Sequence, residues 1–198
     1  EDTPIGVPLS GSDSDGTIAS VTITAGPSAA QGQLLYDADG NPGTPAVAVP
    51  LGTALTPAQA ATVTFVPAPN YNGPVDPVSF IVTDNAGASS SAASVTINNV
   101  TPVNDAPVAG PDSASTPFDT PIANINVLGN DSDPDGDVLS VSGASVNPAQ
   151  GTVTVNPDGS INFTPAAGVS GPVVISYTLS DGSTTSSGTL TVNVGTNA

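Results

Sequence analysis

The 198-residue sequence has no lysine, arginine or histidine, while its 17 acidic residues give it a formal net charge of -17. Because phosphate recognition depends on lysine and arginine, this composition excludes nucleic acid as a partner. It also argues against binding to anionic membrane surfaces. No basic side chain relieves the repulsion among the carboxylates, so bound divalent cations are expected to stabilise the compact state.

Cysteine and tryptophan are also absent, and the chain has only three tyrosines and four phenylalanines. Lacking cysteine, histidine and lysine, it has neither the usual catalytic nucleophiles and bases nor the usual zinc, copper and haem ligands. Carboxylate pairs alone can hydrolyse glycosides, but these aspartates occur in metal-like clusters and no acid/base pair stands apart. We therefore expect a protein that is not an enzyme.

Long apolar runs are missing too. None approaches the ~20 residues of a membrane span, so we expect no direct membrane insertion. The sequence has no signal peptide, and we interpret it as a piece of a longer protein. Its apolar residues, 37% of the chain, are spread evenly in short segments, which favours thin sandwich cores over disorder.

Short segments that alternate apolar residues with threonine or serine recur along the chain. This period of two, with β-branched residues, is typical of half-buried strands. The segments lie at residues 21–24, 62–66, 94–98, 139–142, 152–156, 160–164 and 189–194. The N-P-D-G sequence at 156–159 predicts a hairpin turn between two of them. Six or seven such strands in about ninety residues predict an all-β, Greek-key β-sandwich.

Four landmarks occur twice in the same order. They are D-T-P-I at 2–5 and 119–122, the acidic stretches at 10–16 and 128–136, F-x-P at 65–67 and 163–165, and the strands V-S-F-I-V-T-D at 78–84 and I-S-Y-T-L-S-D at 175–181. Such self-similarity over most of the chain predicts two tandem copies of one domain. We place the domains at 1–101 and 108–198, with a linker at 102–107.

The first copy carries an insertion around 37–61. Asp13 and Asp131 are 118 positions apart, whereas Phe65 and Phe163 are 98 apart, so the first copy has about twenty additional residues. Within it, Thr56 followed by proline predicts an N-cap and one or two helical turns. The D-A-D-G-N stretch at 37–41 is either a second calcium loop or a hairpin turn. The segment 106–117 has no counterpart before the first D-T-P-I, so the first domain is expected to lack its opening strand.

The densest acidic stretch is N-D-S-D-P-D-G-D at 130–137. Its four carboxylates converge only if the backbone curls, and they then repel one another unless a hard cation lies between them. Ca²⁺ is the natural cofactor, because it takes six to eight oxygen ligands and needs no nitrogen or sulfur. The alternative is a solvated acidic turn. An EF-hand is excluded, because its twelfth position is Ser142 and its flanks are strands.

Together, the acidic stretch at 130–137, F-V-P-A-P-N-Y-N-G at 65–73, I-V-T-D-N-A-G at 81–87 and V-N-D-A-P at 103–107 resemble the cadherin-like tandem repeats of large bacterial surface proteins and RTX-type adhesins. The resemblance covers nearly the whole chain. It implies extracellular sandwiches strung end to end in an extended arrangement, with Ca²⁺ clamping the junctions. It also implies a bacterial cell-surface location, in many cases after type I secretion. The glycine-rich nonapeptide repeats of the RTX region are absent from this sequence.

The resemblance also implies a ligand set for the ions. Asn104 and Asp105 match the end of the cadherin linker pattern, but Pro102 replaces its first aspartate. Phe118 stands where the second copy would need the glutamate that Glu1 supplies in the first, so one or two junction ions are implied rather than three. The predicted metal ligands are Glu1, Asp13, Asp15, Asp84, Asn104, Asp105, Asp131, Asp133, Asp135, Asp137 and Asp181.

Two functions remain open at this point. The first is a non-enzymatic extender, or spacer, whose rigidity depends on Ca²⁺ and whose partners are the neighbouring repeats of the same long chain; the isolated piece is expected to be a monomer. The second is an adhesion module that binds carbohydrate or protein through the first-domain insertion, since loops grafted on a sandwich often carry function. Exposed aromatic platforms would favour the second, but Tyr71 and Tyr177 occupy positions expected to pack in the core.

Overall fold

The computed structural model describes residues 1, 3–41 and 43–197 and divides into two compact units, Glu1–Val103 and Asn104–Ala198. The division falls within the predicted linker, so Asn104 and Asp105 belong to the second unit. Asp2, part of the repeated D-T-P-I motif, lies outside the described residues. Among those residues, no helix is long and apolar enough to cross a membrane.

The first unit contains two four-stranded sheets. Its elements are β1 (Ile5–Gly6), β2 (Ile18–Ala25), β3 (Gly32–Tyr36), β4 (Val47–Ala48), β5 (Ala54–Leu55), α1 (Pro57–Ala60), β6 (Thr64–Pro67), β7 (Val78–Asp84) and β8 (Ala93–Val95). One sheet has the order β1-β6-β3-β4 and the other β5-β2-β7-β8. Alternate residues of both sheets, such as Phe65 on β6 and Ile23 on β2, are fully buried in one shared core.

The second unit has a three-stranded and a four-stranded sheet. Its elements are β9 (Asp112–Thr116), β10 (Ile122–Ile125), β11 (Ser140–Val146), β12 (Gly151–Val155), β13 (Ile161–Pro165), β14 (Gly171–Ser180) and β15 (Thr185–Val194). The sheet orders are β10-β13-β12 and β11-β14-β15-β9. Along β14, alternate residues from Val173 to Leu179 are buried while those between them are exposed, and Phe163 of the opposite sheet packs in the same core.

The two units share one topology. The order β1-β6-β3 of the first corresponds to β10-β13-β12 of the second, and β2-β7-β8 corresponds to β11-β14-β15. The prediction of all-β sandwiches is therefore confirmed, since each unit buries apolar side chains between two sheets. What differs is peripheral: the first unit adds β4, β5 and α1, and the second adds β9, which pairs in parallel with β15.

Both cores repeat a glycine–aromatic contact. Gly32 and Gly151 have positive φ angles of 148° and 156°, and a Cβ at either residue would lie 2.7 Å or less from the ring of Phe65 or Phe163, respectively. The two glycines therefore leave the space that the rings occupy. These phenylalanines begin the repeated F-x-P landmark, so the repeat in the sequence corresponds to a repeated glycine–phenylalanine contact in the cores.

Local predictions are confirmed with shifted ends. Thr56 caps α1 and forms a capping box with Gln59, and the chain from Asn156 to Gly159 turns between β12 and β13, with the Gly159 amide bonded to the Asn156 carbonyl at 2.9 Å. Two predicted strands were too long: β6 begins at Thr64 because 57–60 forms the helix, and β8 ends at Val95. The prediction that Tyr177 packs in the core is confirmed by its 2% exposure.

Candidate metal centre

Three segments of the second unit meet at one end of its sandwich. They are its first two residues, Asn104 and Asp105, the acidic loop 131–137 between β10 and β11, and the turn 181–184 between β14 and β15. The long hairpin of β14 and β15 fixes the turn, and an isolated β-bridge between Val108 and Ser132 holds the acidic loop beside the incoming chain. The site therefore rests on the paired strands of the sandwich.

Asp181 is the best-satisfied carboxylate of the site. Its Oδ1 accepts the amides of Ser183 and Thr184, each at 2.6 Å, and its Oδ2 accepts the Thr184 hydroxyl at 2.6 Å and the Asn104 side-chain amide at 2.9 Å. The hydrogen bond from the Thr184 hydroxyl, followed by that from Asn104, holds the pKa of Asp181 far below its usual range. Asp181 is thus a fixed anion that tethers the start of the second unit.

Asp133 organises the acidic loop. Its Oδ1 accepts the amides of Asp135 at 2.9 Å and Asp137 at 3.2 Å, and its carbonyl accepts the amide of Gly136, whose φ of 80° suits glycine. These bonds produce the backbone curl that the sequence required. In contrast, Oδ2 of Asp133 is buried and has no hydrogen-bond partner among the described residues.

Asp105 joins the loop from the other side. Its amide donates to Oδ2 of Asp135 at 2.8 Å, and a carboxylate oxygen of Asp105 lies within 4.8 Å of one of Asp135. Oδ2 of Asp105 is also buried and unpaired within the described part of the chain. Leaving a buried carboxylate oxygen unpaired is costly, and a group of carboxylates such as this one could hold a metal ion.

The donor set fits Ca²⁺. Every side chain that meets here offers oxygen, and a hard divalent cation with several oxygen ligands satisfies carboxylates that have no basic partner anywhere in this sequence. The bonds among Asp105, Asp133 and Asp135 bring the predicted ligands of the linker and of the acidic loop together. The solvated-turn alternative accounts for the curl but leaves the buried oxygens unpaired.

Asp131 lies deeper in the same loop. Its Oδ1 accepts the Gly110 amide at 2.8 Å, and both of its carboxylate oxygens lie 3.4 Å from the Tyr177 hydroxyl. Tyr177, Asp112 and Thr184 are the contributors that the sequence reasoning missed. Thr184 follows the predicted Asp181 by three residues, as in side-chain-capped turns, whereas nothing in the sequence pairs Asp112 with Tyr177.

The next two predicted ligands are Asp137, in the acidic loop, and Glu1, in the first unit. Asp137 contributes its amide, while its side chain is exposed. In the first unit, the backbone nitrogen of Glu1 donates to the Thr101 carbonyl at 2.7 Å and its Oε1 accepts the Val103 amide at 3.4 Å. Oε2 of Glu1 is buried and has no hydrogen-bond partner in the described residues.

The first unit contains an equivalent group of aspartates. Asp13 and Asp84 line one surface depression of about 190 Å³, and Oδ1 of Asp84 accepts the amides of Ala86 and Ala88, each at 2.8 Å. Asp15 is exposed. The repeat thus places equivalent aspartates at the equivalent end of the sandwich.

Residues 37–41 form the loop between β3 and β4. Asp37 Oδ1 accepts the amides of Asp39 and Gly40, and Asp39 Oδ1 accepts the Asn41 amide and the Thr44 hydroxyl. The hydroxyl bond from Thr44, followed by the Asn41 amide, lowers the pKa of Asp39. Because these carboxylates bond to their own loop, the geometry favours the hairpin turn over a second calcium loop.

Comparison with known proteins bears on the second unit. Residues 104–196 match the family model described as a bacterial cadherin-like domain. The second unit is similar to bacterial cadherin-like domains. Cadherin-like domains typically bind Ca²⁺, in agreement with the cluster of carboxylates described above. No curated protein matches the chain significantly.

Several solved structures resemble the chain at low identity. An endo-fucoidan hydrolase from glycoside hydrolase family 107 is 18% identical over 93% of this chain and 24% of that chain, with a TM-score of 0.37. A three-domain piece of Drosophila N-cadherin is 13% identical over 93% of this chain and 57% of that chain, also with a TM-score of 0.37. Domains 4–9 of a surface layer protein are 14% identical over 92% and 31%, with a TM-score of 0.32. The chain therefore spans only part of the length of each.

Proposed function

We propose that this chain is a non-enzymatic extender of a secreted bacterial cell-surface adhesin, in which Ca²⁺ bound at the junction between consecutive units makes the array rigid. The observation that carries the proposal is that Oδ2 of Asp105 and Oδ2 of Asp133 are buried and have no hydrogen-bond partner among the residues that the structure describes. They lie in segments that a hydrogen bond already joins, and the chain has no basic side chain to neutralise them.

The ligands that would hold the ions in the second unit are Asn104, Asp105, Asp131, Asp133, Asp135 and Asp181. Asn104 and Asp105 directly follow Val103, the last residue of the first unit, so fixing them restricts the only covalent connection between the units. Glu1, whose carboxylate accepts the Val103 amide, is the ligand that we propose from the first unit. When bound, Ca²⁺ would cross-link these oxygens and add its binding free energy to the folding free energy.

The proposal accounts for location and partners as well. Extracellular modules bind Ca²⁺ at about 10⁻⁴ to 10⁻³ M, so an array of this kind stiffens outside the cell, where the ion is abundant, and stays pliable in the cytosol. The partners are neighbouring repeats of the same chain, because in repeat arrays each unit contacts only its neighbours. Export by type I secretion and a monomeric state of this piece belong to the same proposal.

The alternative is an adhesion module that binds carbohydrate or protein through the first-unit insertion. A depression of about 230 Å³ lies between the loop at 37–40 and the start of α1. Its carboxylates are already bonded within the loop, and Gln59 donates to the Ala38 carbonyl at 2.8 Å. These bonds indicate that the insertion is a hairpin held by its own hydrogen bonds. The extender is therefore the better-supported function.

Thermal unfolding in millimolar Ca²⁺ and again in EDTA, with small-angle scattering in both conditions, tests the proposal. We expect a clear Ca²⁺-dependent rise in melting temperature together with a change from a flexible to an extended particle. Mg²⁺ at the same concentration serves as the control, because its stricter octahedral geometry suits this ligand set less well. Unchanged melting and scattering on adding Ca²⁺ would refute the calcium mechanism and direct attention to glycan and protein binding by the insertion.

A further inference from the structure

Tyr177 reaches from the core of the second unit to its acidic end. The ring is buried on β14 and lies over Gly188, its partner on β15, where a Cβ would be 2.1 Å from Cζ of the tyrosine. Only glycine leaves room for the ring there, so its direction is fixed by the sheet. The position of the hydroxyl at the end of this rigid side chain is therefore fixed.

At that place the hydroxyl meets two carboxylates. It donates to Oδ2 of Asp112 at 2.9 Å and lies 3.4 Å from both carboxylate oxygens of Asp131. The carbonyl oxygens of Val127 at 3.3 Å and Gly110 at 3.5 Å complete its surroundings. A single hydroxyl thus stands between Asp112, on β9, and Asp131, in the acidic loop.

The charges at this point explain why a neutral donor is useful. Burial raises the pKa of Asp112. The hydrogen bond from Tyr177 lowers this pKa in part, and the charge of Asp131 raises it further. The tyrosine hydroxyl is a neutral donor, so it places a proton beside both carboxylates without adding charge. Without that proton between them, the two carboxylates would face each other unscreened.

The first unit lacks this arrangement. Phe80 occupies the position equivalent to Tyr177, in V-S-F against I-S-Y, and pairs with Ala93 where Tyr177 pairs with Gly188. It has no hydroxyl to offer to Asp13, the counterpart of Asp131. The support for the aspartate is therefore a feature of the second unit and not of the repeat as a whole.

We infer that Tyr177, with Asp112, is a positioning residue that holds Asp131 in place for a cation at the acidic end of the second unit. The inference rests on the proposed Ca²⁺ site and adds to it a support from the core that the first unit does not have. Residues that orient metal ligands through hydrogen bonds commonly change metal affinity by about 10–100-fold when they are replaced. Asp131, fixed between the Gly110 amide and the Tyr177 hydroxyl, meets that description.

The test is a residue-specific Ca²⁺ titration of Tyr177→Phe in the full chain. Amide signals of Gly110 and Gly136 in ¹⁵N NMR spectra report binding in the second unit, and that of Gly16 reports the first. We expect the dissociation constant seen at Gly110 and Gly136 to rise about tenfold or more, with that at Gly16 unchanged. Tyr71→Phe is the matched control, because its hydroxyl bonds to the Pro74 carbonyl within the first unit.

A second variant separates positioning from packing. In Tyr177→Phe/Asp112→Asn, the charge that opposes Asp131 is removed as well, so affinity should recover towards that of the wild type. Unfolding in EDTA shows the metal-free cost of each change. Equal Ca²⁺ affinity of the wild type and Tyr177→Phe, or no recovery in the double variant, would overturn the inference alone. Absence of any Ca²⁺ response in the wild type would instead overturn the proposed function.

Discussion

The backbone amide of Asp105 donates to Oδ2 of Asp135 at 2.8 Å. This bond joins the second residue of the second unit to a loop thirty residues further on. It uses one oxygen of Asp135 for a neutral donor, while Oδ2 of Asp105 itself is buried and has no hydrogen-bond partner in the described part of the chain. A metal-free unit therefore has its ligands partly assembled, which reduces the entropic cost of binding an ion.

The unpaired oxygens predict opposite effects of one substitution with and without Ca²⁺. Asp133→Asn keeps an acceptor for the loop amides but removes a charge that has no cationic partner. In EDTA its melting temperature should equal or exceed that of the wild type, because repulsion falls. In Ca²⁺ the stabilisation should largely disappear, because a ligand is lost.

The control for this prediction is Asp119→Asn. Asp119 accepts the Gly168 amide at 2.9 Å and takes no part in the cluster, so its replacement removes the same charge elsewhere in the unit. A Ca²⁺-dependent rise in melting temperature that is equal in the two variants would contradict the assignment of Asp133 as a ligand.

The contact between Gly188 and Tyr177 predicts a large cost for one methyl group. In Gly188→Ala the new Cβ would overlap the ring, so the ring or the strand must move, at about 1–3 kcal/mol. Gly143→Ala on β11 of the same sheet is the matched control, because no atom of the described residues lies within 4 Å of its added Cβ. Urea unfolding monitored by tyrosine fluorescence measures both, and similar stabilities would show that the ring has free space.

The cap of α1 predicts a local effect in the first unit. The Gln59 amide donates to the Thr56 hydroxyl at 3.3 Å, and Gln59 Oε1 in turn accepts the Thr56 amide at 3.0 Å. Thr56→Ala should weaken the helix by about 1 kcal/mol. Exchange of the Ala60 amide, which bonds to the Thr56 carbonyl at 2.9 Å, should then be about fivefold faster. Thr56→Ser should exchange like the wild type, and a fast rate there would argue against the cap.

The elements that the sequence predicted correctly are those determined by neighbouring residues. Alternation predicted β2, β12 and β13, and the Thr56–Pro57 pair predicted the helix, because a strand face and an N-cap depend on residues a few positions apart. The ends of β6 and β8 were wrong, since strand ends depend on which neighbours pair. No local pattern indicates that β9 lies in parallel with β15, far along the chain.

The candidate site divides in the same way. Clustered aspartates in D-S-D-P-D-G-D indicate a metal loop because spacing and turn chemistry lie together in the sequence. The contact between Tyr177 and Asp112, sixty-five residues apart, is produced by the parallel pairing of β9, and the repeat pattern alone assigned Tyr177 to the core. The assignment was correct for the tyrosine ring but did not predict the contacts of the hydroxyl.

The turn between β12 and β13 predicts a pH dependence that is independent of metal. Oδ1 of Asp158 accepts the Ser160 hydroxyl at 2.7 Å and the Ser160 amide at 3.0 Å. The hydroxyl bond, then the amide bond, lowers the pKa of Asp158 below its ordinary value of 3.8. The pKa of Asp158 is lower in the folded state than in the unfolded state. The contact therefore stabilises the folded state fully above the unfolded-state pKa, and this stabilisation is lost as the pH falls through the folded-state pKa.

Ser160→Ala removes the larger of these two contributions, so the pKa of Asp158 should rise towards 3.8. The difference in unfolding free energy between the wild type and this variant should be largest above pH 3.8 and shrink below it. Side-chain ¹³C NMR titration in EDTA measures the shift, with Asp39 as internal reference because its pKa is lowered by Thr44 instead. A pKa of Asp158 that stays equally low in Ser160→Ala would show that the backbone amide alone holds the carboxylate.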